Sequence, residues 1–206
     1  LPELARLPGP QHWRLVDHDA ALLALAAEAC TTLESGDGRR VDCEVRQAAL
    51  HPLACDTFDG LDLVSASALI DLMSAAWLQD FANACARAGC ACLVSLSVDG
   101  CWAFDGPADP DDALVREAFN AHQRRDKGVG GALGPDAAAR LAHFLEAAGF
   151  VVTCAPSPWQ LTMDNATDRA LAHQLLAGWR AAASEQCPAE AARIAAWHTR
   201  RAVTLE

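Results

Sequence analysis

The sequence predicts an α/β fold built on a mostly parallel β-sheet with helices on both faces. Apolar runs that suit strands alternate with stretches whose apolar residues recur at helical spacing, which is the pattern of βαβ units. One run, Cys90 to Val98, is almost wholly apolar, as expected of a parallel strand covered on both faces. A chain of 206 residues that is 52% hydrophobic can bury the core of one such domain.

The first half of the chain contains the parallel strands. Asp19 is placed to cap a helix after the first strand, and Ser74 is placed to cap the helix before the apolar run. Gly89 ends that second helix, because glycine accepts the left-handed conformation found at helix ends. Strands are predicted near residues 12–16, 43–48, 62–67 and 91–97.

The second half, after Gly100, is predicted to be mainly helical. It contains an acidic loop, a helix ending near His122, a polar glycine-rich stretch and a helix from Pro135 to Gly149. We predict one domain over residues 1–206, with a substrate lid at 105–135 and a helical insertion at 165–200. The remaining predictions are a strand at Phe150 to Leu161, helices at Thr167 to Ala183 and Pro188 to Thr199, and an antiparallel strand at Ala202 to Leu205.

Composition excludes several classes of function. The net charge of −11 repels DNA and RNA, so we expect a small-molecule substrate and no nucleic acid. No apolar run reaches the roughly 20 residues that span a bilayer, so we expect no membrane association. The nine cysteines lack zinc-ligand spacing and favour reduced thiols, no metal and a cytoplasmic location. The oligomeric state is left open.

Asp17 is the first candidate for a binding role. An acidic residue at the end of a strand in a nucleotide-binding α/β fold can accept hydrogen bonds from both hydroxyls of a ribose. Asp17 follows the first predicted strand and precedes its helix. An aspartate in this position is also an ordinary turn residue, so the position alone leaves both interpretations open.

Three segments, in this order, resemble motifs of the class I S-adenosylmethionine-dependent methyltransferases. Leu15 to Leu23 (LVDHDAALL) is similar to a strand that ends in the ribose-binding acid. Phe58 to Leu72 (FDGLDLVSASALIDL) is similar to the fourth strand of that family, and the run Cys90 to Val98 is similar to the fifth. The resemblance implies a three-layer Rossmann-like methyltransferase sheet, with an antiparallel strand near its carboxyl terminus.

The same resemblance implies which residues bind S-adenosylmethionine. They are Asp17 and His18, the run Gln47, Ala48 and Ala49, and the pair Ala66 and Ser67. Two departures stand out. The run Gln47 to Ala49 lacks the aspartate that this family commonly places near the adenine, and the first strand with its glycine-rich turn is missing from the sequence. We therefore expect that residues upstream of Leu1 belong to the domain.

The segment Phe119 to Pro135 is predicted to serve the methyl acceptor. It resembles a block found in a group of bacterial methyltransferases without an assigned substrate. We expect His122 to be the catalytic base, and Asn120, Asp126, Lys127 and Trp159 to bind the substrate, with Lys127 or an arginine binding an anionic group. The alternative is an ordinary solvated loop, with His122 a structural residue.

The expected function is enzymatic transfer of a methyl group from S-adenosylmethionine to a small-molecule acceptor. Two alternatives stay open. A nucleotide-dependent oxidoreductase also uses an acid after its second strand to bind ribose. The second alternative is a non-catalytic binding protein that keeps the methyltransferase fold. The absence of the expected acid from the run Gln47 to Ala49 makes it conceivable.

Overall fold

The computed structural model describes residues 5–54, 56–126, 128 and 130–205. In this part of the chain the protein is α/β, with two small parallel sheets and six α-helices. Contacts divide the chain into two compact units, Leu1–Leu53 and Ala54–Glu206. Each unit is described by itself, and the single domain expected from the sequence stays a prediction.

The first unit is a βαβ unit. Strand β1 (His12–Asp17) is followed by helix α1 (Ala20–Cys30), and strand β2 (Asp42–Gln47) pairs with β1 in parallel. The register joins His12 to Asp42 at one end and Asp17 to Gln47 at the other. Asp19 caps α1 as predicted, because its carboxylate accepts the backbone N–H groups of Ala21 and Leu22.

The second unit begins with another βαβ unit. Strand β3 (Leu63–Ser67) leads to helix α2 (Ala75–Ala88), and strand β4 (Ala91–Ser95) returns parallel to β3. The Ser74 hydroxyl caps α2 at its start, and Gly89 ends it with a φ of 68°. All four parallel strands therefore lie within one or two residues of the predicted positions.

Within the described residues of the second unit, the β3–β4 pair is covered on one face only, whereas β4 was expected to be buried on both. The thiol of Cys92 in β4 lies within hydrogen-bond reach of Cys85 in α2, so α2 packs on the face that carries Cys92. Residues of the opposite face are exposed, among them Leu63 and Leu93. The apolar composition of β4 therefore does not reflect cover on both faces within the described residues.

The helices of the second half enclose a separate apolar core. Helix α3 (Asp112–Gln123) packs on α5 (Ala166–Gln186), which packs on α6 (Ala191–Val203), while α4 (Ala137–Ala147) packs on α2. This core contains Val115, Ala118, Leu176, Ala183, Ile194, Trp197 and Leu205. None of the helices in the described ranges is long and apolar enough to cross a bilayer.

Ion pairs join the start of α3 to α6. Asp109 and Asp111 bind the Arg200 guanidinium, at 2.6 and 2.7 Å. Arg201 is almost fully buried and binds Asp112, whose carboxylate also accepts the indole N–H of Trp197 at 2.8 Å. A buried guanidinium requires such a partner, because an unpaired charge in the interior is strongly destabilising. The loop before α3 is thereby tied to α6.

The predicted antiparallel strand at Ala202 to Leu205 is wrong. Helix α6 extends to Val203, and a turn follows it. The reason is helical periodicity, since Trp197, Arg201 and Leu205 recur every four residues and all three are buried. The predicted strand at Phe150 to Leu161 is not seen either, because none of these residues has regular secondary structure and Val151 is 99% exposed.

We predict that Trp197→Ala lowers the free energy of unfolding by about 3–5 kcal/mol, the usual cost of removing a buried aromatic side chain. Val203→Ala in the same helix is the control and changes it by less than about 0.5 kcal/mol, because Val203 is 64% exposed. Urea unfolding followed by circular dichroism measures both values. Equal values for the two variants would contradict the described packing of α6.

A second prediction concerns acid stability. A hydrogen bond from Arg200 lowers the pKa of Asp109 to about 2 from its ordinary value of 3.8. The ion pair therefore stabilises the fold fully above about pH 5, by about 1 kcal/mol since the Arg200 side chain is 45% exposed, and this contribution is lost as the pH falls toward 2. In Asp109→Asn, the unfolding free energy should vary less over this range than in the wild type. Asp105→Asn, a change at an exposed residue, should keep the wild-type dependence.

Candidate functional site

The carboxyl end of the β1–β2 pair carries the side chains predicted to bind ribose. Asp17 and Gln47 are the last residues of their strands and are paired in register. The Gln47 side-chain amide donates to the backbone oxygen of His18 at 3.1 Å, and the Ala48 N–H donates to the Asp17 oxygen at 2.9 Å. Four of the predicted cofactor residues thus lie together at one edge. Ala49 follows them and is exposed.

The Asp17 carboxylate is oriented by its own loop. Its Oδ1 accepts the Asp19 N–H at 2.9 Å and lies 3.1 Å from Nδ1 of His18. Its side chain is 39% exposed, and its Oδ2 has no protein hydrogen bond among the described residues. A partly exposed carboxylate with one uncommitted oxygen fits the hydroxyls of a ribose, which are hydrogen-bond donors.

The carboxyl end of the β3–β4 pair contains unusual backbone geometry. Ala68 and Leu96 each follow the last residue of a strand, and their φ angles are 52° and 56°. Residues other than glycine avoid this left-handed region, at a cost of roughly 1–2 kcal/mol each. Such strain concentrates at functional sites. Ser67, predicted to bind the cofactor, is exposed beside Ser95 at this edge, and Ala66 precedes it in β3.

The glycine-rich part of the predicted lid lies near the same edge. The Leu133 N–H donates to the backbone oxygen of Met73 at 3.0 Å. A Cβ placed on Gly130 would lie 3.3 Å from Cβ of Ser74. Met73 and Ser74 belong to the connection between β3 and α2, so the chain after α3 folds back onto the loop that leaves β3.

Asn120 lies against the loop that leaves β4. Its Nδ2 donates to the backbone oxygen of Gly100 at 3.0 Å. The approach is close, because a Cβ on Gly100 would lie 2.6 Å from Nδ2 of Asn120 and 2.8 Å from the Pro135 ring. Helix α3, the loop after β4 and the turn before α4 therefore meet at Gly100.

Four buried polar atoms of helix α3 and of the loop after β4 have no hydrogen bond within the described part of the chain. They are Oδ1 of Asn120 and Oε1 of Gln123 in α3, and Oγ of Ser97 and Nε1 of Trp102 in the loop. Gln123 lies one helical turn after Asn120 and packs against Gly134. Buried polar groups in folded proteins are nearly always paired, so each unpaired group is a candidate for contact with water or a ligand.

His122 faces helix α5 rather than the strands. Its Nε2 lies 3.2 Å from a carboxylate oxygen of Glu185. Since a carboxylate only accepts, Nε2 is the donor of this pair. Arg125 also binds Glu185 and donates to Gln186 at 2.7 Å. His122 and Arg125 together lower the pKa of Glu185. The catalytic role of His122 stays a prediction.

The other predicted substrate residues are scattered. The Asp126 carboxylate forms a hydrogen bond within its own loop, because it accepts the N–H of Gly128 at 2.7 Å. Lys127 lies outside the described residues. Trp159 is 60% exposed, and no described hydrogen bond or ring contact joins it to Asn120 or His122. The structure thus brings Asn120 to the edge of β4, while His122, Asp126 and Trp159 have other surroundings.

Two of the described cysteines, Cys43 and Cys90, are poorly suited to nucleophilic chemistry. Burial raises the pKa of the Cys43 thiol to about 12, and burial also raises that of Cys90. Both are therefore thiols at neutral pH, and the thiol is a poor nucleophile compared with the thiolate. Within the described ranges, no group of three or more histidine, cysteine, aspartate or glutamate side chains could hold a metal ion.

Two shallow surface depressions lie away from these strand ends. One is lined by residues at the start of β2 and the end of α1, and the other by residues at the start of β4 and the ends of α2 and α4. Ligands of parallel α/β sheets bind beyond the carboxyl ends of the strands. We therefore consider the carboxyl ends of each strand pair, within its own unit, as the candidate site, despite the depressions at the opposite ends.

Sequence reasoning missed several of these features. Glu185 is 63 residues from His122, so no local pattern connects them. Nothing in the residue types of Ala68 and Leu96 signals a positive φ. The close packing at Gly100, in contrast, could have been suspected, because glycine often occurs where another group approaches the backbone closely. No protein-family model matches the chain, and neither a curated protein nor a solved structure matches it.

We predict that Gly100→Ala destabilises the protein by about 1–3 kcal/mol more than Gly106→Ala, because overpacking adds to the backbone strain. Both glycines have positive φ, 73° and 95°, but a Cβ on Gly106 would enter open space. Thermal unfolding of the two variants measures the difference. Equal destabilisation would mean that Asn120 and Pro135 do not crowd Gly100.

Proposed function

We propose that the protein transfers a methyl group from S-adenosylmethionine to a small-molecule acceptor. In this proposal its strands belong to a Rossmann-like methyltransferase sheet. The first unit contributes the contact to the cofactor ribose. S-Adenosylmethionine supplies an electrophilic methyl group on a sulfonium, which is the demanding part of the chemistry.

The observation that carries the proposal is the carboxylate of Asp17 at the carboxyl end of a parallel strand. Its Oδ1 is held by the Asp19 N–H, which fixes the side chain, and its Oδ2 has no protein partner among the described residues. Gln47 ties the neighbouring strand end to the same loop through the His18 oxygen. This arrangement supports binding of a nucleoside through its ribose hydroxyls.

The second unit orients the acceptor and excludes water in this proposal. The loops after β3 and β4 are held by the glycine-rich segment and by Asn120, respectively. Holding reactants in line is the main contribution that a protein makes to such a transfer. A base is needed only when the acceptor must lose a proton.

His122 is the candidate for that base. Glu185 holds Nε2 of the ring, which leaves Nδ1 to accept a proton. A carboxylate that binds one imidazole nitrogen selects the tautomer and stabilises the protonated ring, as in hydrolase triads. The chain thus supplies a paired histidine of suitable chemistry in the segment that the sequence associates with the acceptor.

We predict that Asp17→Asn weakens binding of S-adenosylhomocysteine by about 1–3 kcal/mol, because a charge-assisted hydrogen bond is lost. Asp42→Asn, at the opposite end of the same strand pair, removes the same charge and should leave the affinity unchanged. Isothermal titration calorimetry on the 206-residue chain measures both.

The same titration with NAD in place of S-adenosylhomocysteine separates the alternatives. Tighter binding of NAD would favour a nucleotide-dependent oxidoreductase, which uses an equivalent acid. Binding of S-adenosylhomocysteine that is indifferent to Asp17→Asn would remove Asp17 from the site. Absence of binding by either nucleoside would contradict the proposal.

A further inference from the structure

We propose that the methyl acceptor is an amine, held through its N–H groups by Asn120, Gln123 and Ser97. This inference rests on the proposed function for the transfer itself. It differs from the expectation that the segment after α3 binds an anionic group. The inference follows from which polar groups in and near that segment already have a hydrogen-bond partner and which have none.

Both described arginines of the segment are occupied by carboxylates. Arg124 donates to Asp136 at 2.9 Å, and Arg125 binds Glu185. To bind an anionic substrate, either guanidinium would have to exchange one carboxylate for another. These arginines therefore give no preference for an anion.

The unpaired groups, in contrast, include side-chain oxygens that accept hydrogen bonds. The amide of Asn120 has only one possible orientation, because the Gly100 backbone oxygen must face the Nδ2 donor. Its Oδ1 is thereby directed elsewhere, buried and unpaired. A buried oxygen without a donor is unfavourable, and a ligand N–H removes that penalty.

Gln123 and Ser97 also carry buried side-chain oxygens without a hydrogen-bond partner. Gln123 lies three residues after Asn120, so both side chains project from neighbouring positions on α3. Ser97 lies in the loop after β4, three residues before the glycine that Asn120 contacts. The Ser97 hydroxyl can accept as well as donate. A ligand with several N–H groups satisfies all three side chains.

Net charge favours the same class of ligand. At −11 the protein attracts cations and repels anions, so a protonated amine is concentrated near it while a carboxylate is not. In the transfer, the amine first releases a proton, through water, to His122, the base proposed above. Its nitrogen lone pair then forms the bond to the methyl carbon, the carbon–sulfur bond breaks, and its electron pair stays on sulfur.

The test uses benzylamine and benzoate, which share a ring and carry opposite charges at neutral pH. Each is titrated into the isotopically labelled 206-residue chain, and the side-chain amide signals of Asn120 and Gln123 are followed by NMR. We expect benzylamine to shift both signals and benzoate to shift neither. Equal shifts with benzoate, or no shift with either compound, would overturn the inference. Bound water would then be the partner of the unpaired side chains.

A pair of variants sharpens the result. Gln123→Glu replaces the amide with a carboxylate, which presents an oxygen in either orientation of the side chain. We expect this variant to bind benzylamine about tenfold more tightly, since charged hydrogen bonds are stronger. Gln174→Glu adds the same charge at an exposed position of α5 and should leave the affinity unchanged. Equal affinities in the two variants would contradict the proposed contact. If Gln123→Glu does not fold, the titrations of the wild type decide alone.

Failure of this inference can be distinguished from failure of the proposed function. Binding of S-adenosylhomocysteine together with a preference for benzoate would overturn the amine and keep methyl transfer. Binding of benzylamine without any binding of S-adenosylhomocysteine would keep the amine-binding cluster and contradict methyl transfer.

Discussion

Parallel pairing is the constraint on which the arrangement of this protein depends. In a parallel pair both strands end at the same edge, so the loops that leave them lie side by side. This places Asp17 beside Gln47 in the first unit and Ser67 beside Ser95 in the second. The polar residues that the chain carries after its strands are therefore gathered at strand ends, while β2 and β4 receive the chain at their amino ends from α1 and α2.

The helices hold in place the loops that leave the carboxyl ends of the strands. Helix α3 contacts the loop after β4 through Asn120, and its amino end is tied to α6 by aspartate–arginine pairs. The left-handed conformations of Ala68 and Leu96 are strained and persist only where the surroundings impose them. The Ala68 N–H contributes by donating to the Ser95 oxygen at 3.1 Å. The second unit thus combines left-handed backbone after its strands with buried polar atoms that have no partner among the described residues.

Local signals in the sequence were enough to predict the parallel strands and the caps at Asp19, Ser74 and Gly89, because these features depend on neighbouring residues. Longer-range features were not predictable in this way. The segment Ala202 to Leu205 has an apolar composition that suits a strand, but the spacing of Trp197, Arg201 and Leu205 continues a helix against α3 and α5. Likewise His122 was correctly placed on a helix, while its partner Glu185 depends on how α3 packs against α5. Composition also could not show that one face of β4 is exposed.

The central claim, which is our proposal, is that the carboxyl ends of β1 and β2 bind the adenosyl cofactor. The most direct measurement is a map of backbone amide chemical-shift changes in the 206-residue chain on saturation with S-adenosylhomocysteine. Our account predicts the largest changes at residues 17–19 and 47–49. Changes confined to the starts of β2 and β4, or no change at saturating ligand, would contradict it.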